Sequence, residues 1–224
     1  MNLENLKAEA ARRAVEFIGS GMRVGLGTGS TARYAILEIA RKIRARELAG
    51  ITGVATSLES EKLARANGLA VEDLDARPLD VAIDGADEIA PNLDLIKGLG
   101  AALLREKLVA LQAKEFIVVA DYTKLVKHLG EKVSLPVEIV RFGSESTINR
   151  LAEFGTPVWR RRNGEIVITD NGNLIADLRF STADPARLAR DLKQTTGVVE
   201  TGFFIGLATR AVVAFETEIR EFSR

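Results

Sequence analysis

Met22–Thr31 reads MRVGLGTGST, a short apolar stretch that runs into three glycines and then into hydroxyl residues. Met22–Leu26 is predicted as a strand ending in glycines. Ser30–Leu48 is predicted as a helix, with Tyr34, Leu37, Arg41 and Leu48 at turn spacing. A helix start exposes unpaired backbone N–H groups and the positive end of a dipole. Glycines let an anion approach that backbone closely, and Thr28, Ser30 and Thr31 add hydroxyl donors. The segment has neither the glycine spacing of a dinucleotide fingerprint nor the Gly-Lys-Ser/Thr ending of a P-loop. A tight strand-to-helix turn with Ser30 or Thr31 as N-cap fits the same residues.

Outward from this turn, strand and helix signals alternate. Leu3, Leu6, Ala10, Ala14 and Phe17 recur at helical spacing before Gly19 and Gly21 break the pattern. Val54–Thr56 reads as a strand and Leu58–Ala66 as a helix stopped by Asn67-Gly68. Leu69–Leu74 and Val81–Ile83 read as further strands. Helix Ala101–Ala113 leads to Phe116–Ala120, a continuous apolar run suited to a central parallel strand. The alternation implies an α/β fold: an open, mostly parallel sheet with helices on both faces.

The pattern changes near Ser134. Val137–Val140 reads as a strand and Glu145–Phe154 as a helix. Pro157–Arg161, Ile166–Thr169 and Leu174–Phe180 then read as successive strands, divided by the hairpin signals Asn163-Gly164 and Asp170-Asn171-Gly172. Helix Pro185–Gln194 and strand Val198–Thr201 follow. This order resembles a smaller ferredoxin-like α+β domain. Phe203–Phe215 is apolar again and can return to the large sheet. The expected division is 1–130 with 204–224 as the α/β domain and 131–203 as the small one. No chemistry is evident in the small domain, so assembly is its expected use.

The chain has 224 residues, with 31 Lys+Arg against 31 Asp+Glu, no cysteine and one histidine, His128. That balance argues against a basic nucleic-acid surface; RKIRAR at Arg41–Arg46, flanked by Glu38 and Glu47, reads as a solvated helix face. Disulfides, thiolate zinc sites and a cysteine nucleophile are excluded. No run approaches the ~18 apolar residues of a membrane span. The first residues form an amphipathic helix pattern rather than a secretory signal, so a cytoplasmic location is expected.

Two further segments concentrate chemistry. DGADE, Asp84–Glu88, follows the Val81–Ile83 strand, and strand C-termini line the ligand crevice of open α/β sheets. Both Asp84 and Asp87 can face such a crevice, or can simply bond the backbone of their own turn. KGLGAALLREK, Lys97–Lys107, places Glu106 among Ala102, Leu103, Val109 and Ala110 at helical spacing. A carboxylate on that face would be partly buried, with its basicity raised toward what a general base needs. It could instead reach solvent or pair with Arg105 or Lys107. Lys97 fits a developing oxyanion, or an exposed loop. Asp121 and Lys124 follow the Phe116–Ala120 strand, where Lys124 can complete an anion site or remain solvated. His128 has no evident partner.

Taken together, GLGTGST, DGADE, KGLGAALLREK, ADYTKLVKHLG, LPVEIV, NGNLIADLRF, DPARL and GVVETGFF occur in the order seen in type A ribose-5-phosphate isomerases, which the chain resembles over nearly its full length. The resemblance implies interconversion of ribose 5-phosphate and ribulose 5-phosphate in the non-oxidative pentose phosphate pathway, without metal or cofactor. It implies a first substrate loop of Thr28, Gly29, Ser30 and Thr31, a second of Asp84, Gly85, Ala86 and Asp87, and a third of Lys97, Gly98, Leu99 and Gly100. Glu106 matches the proton acceptor, Lys124 a further substrate lysine, and Lys7 a lysine near the phosphate. Asp84, Asp87 and Lys97 are expected to share in catalysis. The family commonly has glycine where Leu99 stands, which leucine tolerates unless φ there is positive. A sugar phosphate is the implied partner, with neither nucleic acid nor membrane, in a homodimer or homotetramer. A non-catalytic sugar-phosphate sensor and an acyl-CoA transferase relative are the competing readings. The first would need neither Glu106 nor Lys97, and no DNA-binding segment precedes the α/β region. The second would need a larger acyl-CoA site, of which the sequence gives no sign.

Overall fold

The computed structural model describes Asn2–Arg224. In chain order its elements are α1 (Leu3–Val15), β1 (Arg23–Leu26), α2 (Ser30–Arg44), β2 (Thr52–Ala55), α3 (Leu58–Ala66), β3 (Ala70–Val71), β4 (Leu79–Gly85), β5 (Glu88–Ile89) and β6 (Leu95–Ile96). Then come α4 (Leu103–Gln112), β7 (Ala113–Asp121), a 3₁₀ turn (Tyr122–Lys124), β8 (Leu135–Ile139), α5 (Ser144–Leu151), β9 (Thr156–Trp159), β10 (Arg161–Arg162) and β11 (Glu165–Ile166). The chain ends with β12 (Leu174–Arg179), α6 (Pro185–Gln194), β13 (Val198–Thr201), β14 (Phe203–Phe204), β15 (Arg210–Ala214) and β16 (Ile219–Ser223). Among the described residues no helix is long and apolar enough to cross a membrane.

The chain divides into two compact units: Met1–Ala86 with Arg105–Lys124 and Leu207–Arg224, and Asp87–Leu104 with Leu125–Gly206. The first unit is a seven-stranded sheet in the order β16-β15-β7-β4-β1-β2-β3, parallel except for β16. Val24, Leu26, Val81, Ile83, Ile117 and Val119 bury one face against α1 and α2. The opposite face takes α4. There Gly25 is required, because a Cβ would stand 2.5 Å from Val109 Cγ1 and 2.7 Å from Ala82 Cβ. After β1 the chain winds outward through β2 and β3, then returns to place β4 on the other side of β1. Their loops, GLGTGST and DGADE, therefore flank the point where strand order reverses, the usual ligand crevice of such sheets.

The second unit holds the four-stranded antiparallel sheet β13-β8-β12-β9 with α5 and α6 packed on it. Read as β8-α5-β9-β12-α6-β13, this is the ferredoxin-like order. Asp184 caps α6 by accepting from the Arg187 N–H, with Pro185 at its first position. Glu138 on β8 is fully buried and accepts from Thr169 Oγ1 (2.9 Å), Asn171 Nδ2 (3.1 Å) and Asn173 Nδ2 (2.8 Å), which fixes the turn into β12.

Several expectations are corrected. Ile166–Thr169 is not a strand of the small sheet: the Asn163-Gly164 turn joins β10 to β11 in a separate two-stranded ribbon. Leu69–Leu74 contracts to the edge strand Ala70–Val71. Asp87–Leu104 belongs to the second unit and not to a continuous 1–130 domain. It does so because β6 pairs with both β5 and the distant β14 in a three-stranded sheet. That unit begins again at Leu125 and ends at Gly206, not at 131 and 203. The apolar run Phe203–Phe215 is shared: β14 stays in the second unit while β15 joins the large sheet beside β7.

Candidate active site

In the first unit Asp84 is the penultimate residue of β4, only 2 % exposed. Its Oδ1 accepts from the Thr28 N–H at 3.0 Å and the Gly85 N–H at 2.7 Å. The carboxylate is thus turned onto the glycine loop and fixes it. Gly27 makes this approach possible: a Cβ there would lie 2.2 Å from Asp84 Oδ1 and 2.6 Å from Asp84 Cα. Gly27→Ala must push the loop off Asp84. We expect a loss of roughly 1–3 kcal/mol in stability, the scale of overpacking. An unchanged urea midpoint would show that the loop yields freely.

Behind the loop lies a hydroxyl cluster that the sequence reading did not single out. Thr28 Oγ1 donates to Ser57 Oγ at 2.8 Å and sits 2.7 Å from Thr56 Oγ1. Ser60 Oγ donates to the Gly27 carbonyl at 2.7 Å, and Thr56 Oγ1 to the Leu26 carbonyl at 3.1 Å. Ser57 is also the N-cap of α3. The only sequence signal was the density of hydroxyls in ATSLES, which reads first as a helix cap. Gly29 is the N-cap of α2 at φ 98°, where a Cβ would be strained, and offers no side chain to the first-turn amides. Ser30 is exposed and Thr31 buried on that turn. A cavity of about 390 Å³ opens beside Gly29, lined in part by Arg33, Ser60 and Lys62.

Glu106 lies in α4 and is 4 % exposed, with Val109 and Ala110 buried one turn on. The apolar helical spacing thus puts its carboxylate out of solvent. Lys124 ends the 3₁₀ turn after β7, half-buried. Nearby, Asp121 is buried and accepts from the Thr123 N–H at 3.0 Å. Gly85 ends β4 and Ala86 follows it, both half-buried. Lys7 pairs with Glu4 at 2.7 Å.

The second unit carries the other candidates. Lys97 is 2 % exposed, with Nζ 5.4 Å from the Phe204 ring centroid, so it is not an exposed loop lysine. Its N–H donates to the Gly202 carbonyl at 2.9 Å. Asp87 Oδ2 accepts from the Leu99 N–H at 3.0 Å. Gly98 takes φ 105° and is buried. Positive φ in this segment falls on Gly98 and Ala101 (φ 62°) rather than on Leu99, so leucine replaces glycine there without strain. Gly100 is exposed. Glu88, which the reading of DGADE passed over, is fully buried and accepts the N–H groups of Gly130 (2.6 Å), Lys132 (2.5 Å) and Val133 (2.9 Å). His128 is exposed. Among the described residues no group of three or more His, Asp or Glu side chains gathers to hold a metal ion.

A glycine-lined turn locked to a buried aspartate, at the switch point of a parallel sheet, is the arrangement by which α/β enzymes take small anionic substrates at their strand carboxyl ends. The profile of the family described as Ribose 5-phosphate isomerase A (phosphoriboisomerase A) matches residues 52–218. A ribose-5-phosphate isomerase A of Deinococcus radiodurans is 58 % identical over the whole of both chains. A solved D-ribose-5-phosphate isomerase in complex with phospho-erythronic acid superposes with TM-score 0.97, at 38 % identity, over 100 % of each chain. Ribose 5-phosphate isomerase A of Methanocaldococcus jannaschii gives 0.95 at 38 % identity, again over 100 % of each. The chain belongs to the ribose-5-phosphate isomerase A family. It is an aldose–ketose isomerase that interconverts ribose 5-phosphate and ribulose 5-phosphate.

Proposed function

We propose that the isomerisation runs through an enediolate with Glu106 as the single base. The observation that carries this reading is the burial of Glu106 on α4. In the open-chain aldose, Glu106 removes the proton from C2 as the C1 carbonyl oxygen takes up the negative charge. A proton moves from the C2 hydroxyl to that oxygen, and Glu106 returns its proton to C1, leaving the ketone at C2. One carboxylate on one face of the planar intermediate suffices for both transfers.

Lys97 stabilises the charge on the developing oxyanion. Thr28, Gly29, Ser30 and Thr31 hold the phosphate at the start of α2, where amides free of side-chain capping and the helix dipole favour a dianion. Arg33 and Lys62 add positive charge beside that turn. Lys124 contributes a further cation. Asp84 and Asp87 keep the loops of Thr28 and Leu99 in place, as their hydrogen bonds indicate, and relay hydroxyl protons during ring opening. Gly85, Ala86, Gly98, Leu99 and Gly100 line the sugar with backbone. The phospho-erythronic acid bound by the relative carries a carboxylate where an enediolate carries its paired oxygens, which supports the same intermediate. The reading includes no metal or cofactor, a cytoplasmic place in the non-oxidative pentose phosphate pathway, and a homodimer or homotetramer.

Isomerisation in D₂O with EDTA present tests the chemistry. Ribulose 5-phosphate formed there is expected to carry solvent deuterium at C1, at a rate unaffected by the chelator. Complete carry-over of the C2 hydrogen through prolonged equilibration would indicate hydride transfer and remove Glu106 as base.

A further inference from the structure

We infer that Arg160, on the ferredoxin-like sheet, is a positioning residue for the isomerisation, acting through the Lys97–Gly100 loop. The inference rests on the proposed role of that loop. Arg160 directly follows β9, and its side chain is only 10 % exposed. Its guanidinium forms a two-pronged pair with Asp177 of β12: Nε donates to Oδ2 at 3.0 Å and Nη2 to Oδ1. The pair fixes the plane of the fork. Nη1 is thereby aimed at the loop, where it donates to the Gly98 carbonyl at 2.6 Å and the Leu99 carbonyl at 3.1 Å.

The consequence follows from peptide geometry. In a trans peptide the C=O and the N–H of the next residue point in opposite directions. Turning the carbonyls of Gly98 and Leu99 onto Arg160 turns the N–H groups of Leu99 and Gly100 the other way. Leu99 N–H then meets Asp87 Oδ2 at 3.0 Å. The same Gly98 carbonyl also accepts from the Ala101 N–H at 3.0 Å, closing the turn. The segment Lys97–Gly100 has no strand or helix hydrogen bonding of its own. Arg160 on one side, Asp87 on the other and Gly202 at the Lys97 amide hold it. The small sheet thus has a part in the chemistry, although the sequence placed none there.

Lysine cannot replace this fork, because one ammonium cannot grip Asp177 at two points and still span two carbonyls. Arg160→Met should lower kcat by roughly 10–100-fold, the scale of a displacement of about 1 Å in a positioned group, with a much smaller change in KM. Millimolar guanidinium should restore part of the lost kcat. In a Lys97→Met background the same substitution should cost little, since the group it positions is gone. Arg160→Lys and Asp177→Asn are expected to fold, by thermal melting, and to lose kcat in the same direction; they carry the test if Arg160→Met does not fold. A folded Arg160 variant with full kcat would overturn the inference, as would a kcat loss equally large in the Lys97→Met background. Should Lys97→Met by itself leave kcat intact, the reading of Lys97 falls. Guanidinium then decides the case of Arg160 alone: rescue sustains its hold on the loop amides, and no rescue removes it.

Discussion

Glu106→Gln is expected to lower kcat by at least ~10²-fold, the lower end of what a positioned general base contributes, while KM changes far less. Glutamine matches the shape of glutamate and can still accept a hydrogen bond, so α4 and its packing should survive. What disappears is the ability to take a proton from carbon. The site makes the loss hard to replace. At 4 % exposure, Glu106 admits little bulk water to act in its stead. His128, the only histidine, is exposed. In D₂O the variant should also lose exchange of the C2 hydrogen in step with turnover, because the same residue removes and returns the proton. A purified Glu106→Gln protein that isomerises near the parent rate would end the assignment. A variant that still exchanges the C2 hydrogen but fails to form ketose would confine Glu106 to the second transfer.

How much of this was legible in the sequence depends on how local the determining interactions are. The strand-to-helix turn at Met22–Thr31 was legible because apolar residues, glycines and hydroxyls follow one another within ten positions. Leu58–Ala66, Pro185–Gln194 and Val198–Thr201 were read at their observed bounds. Of these, the two helices carry their own signals, a stop at Asn67-Gly68 and the Asp184-Pro185 start. The burial of Glu106 was legible for the same reason, since its helical neighbours lie within four residues. By contrast, Glu88–Ile89, Leu95–Ile96 and Phe203–Phe204 are two-residue strands, too short to show a period, and the last pairs across more than a hundred residues. That pairing moves Asp87–Leu104 into the second unit, so the domain boundary was illegible too. Ile166–Thr169 has the composition of a strand, yet only its first residue is in one, and the partner is the exposed edge Arg161–Arg162. The side-chain clamps were the least legible. Asp84 on Thr28, Glu88 on Gly130, and Arg160 on Gly98 join segments 42 to 62 residues apart. Arg160 reads locally as one more residue of a polar strand end. The aspartates of DGADE were singled out, but local pattern could not show that each holds a different loop.

Lys97→Met should lower kcat by roughly 10²–10³-fold, the scale of deleting one oxyanion donor, and leave KM close to the parent value. The asymmetry is the informative part. Charge on the carbonyl oxygen is slight in the bound aldose and large in the enediolate, so a cation opposed to it acts mainly on the transition state. Methionine is chosen because the environment of the side chain is known. Lys97 is 2 % exposed and lies over the Phe204 ring. An unbranched thioether of similar length keeps that ring contact. A fall in both midpoint and kcat would fit loss of the charge and loss of the Lys97–Gly100 loop alike. Lys97→Arg separates the two further: it keeps the charge, but the flat guanidinium needs room that a buried lysine site lacks, so it should lose both stability and rate. If Lys97→Met instead raised KM and left kcat untouched, the lysine would bind substrate and transition state alike. The enediolate oxygen would then have to be stabilised by another donor.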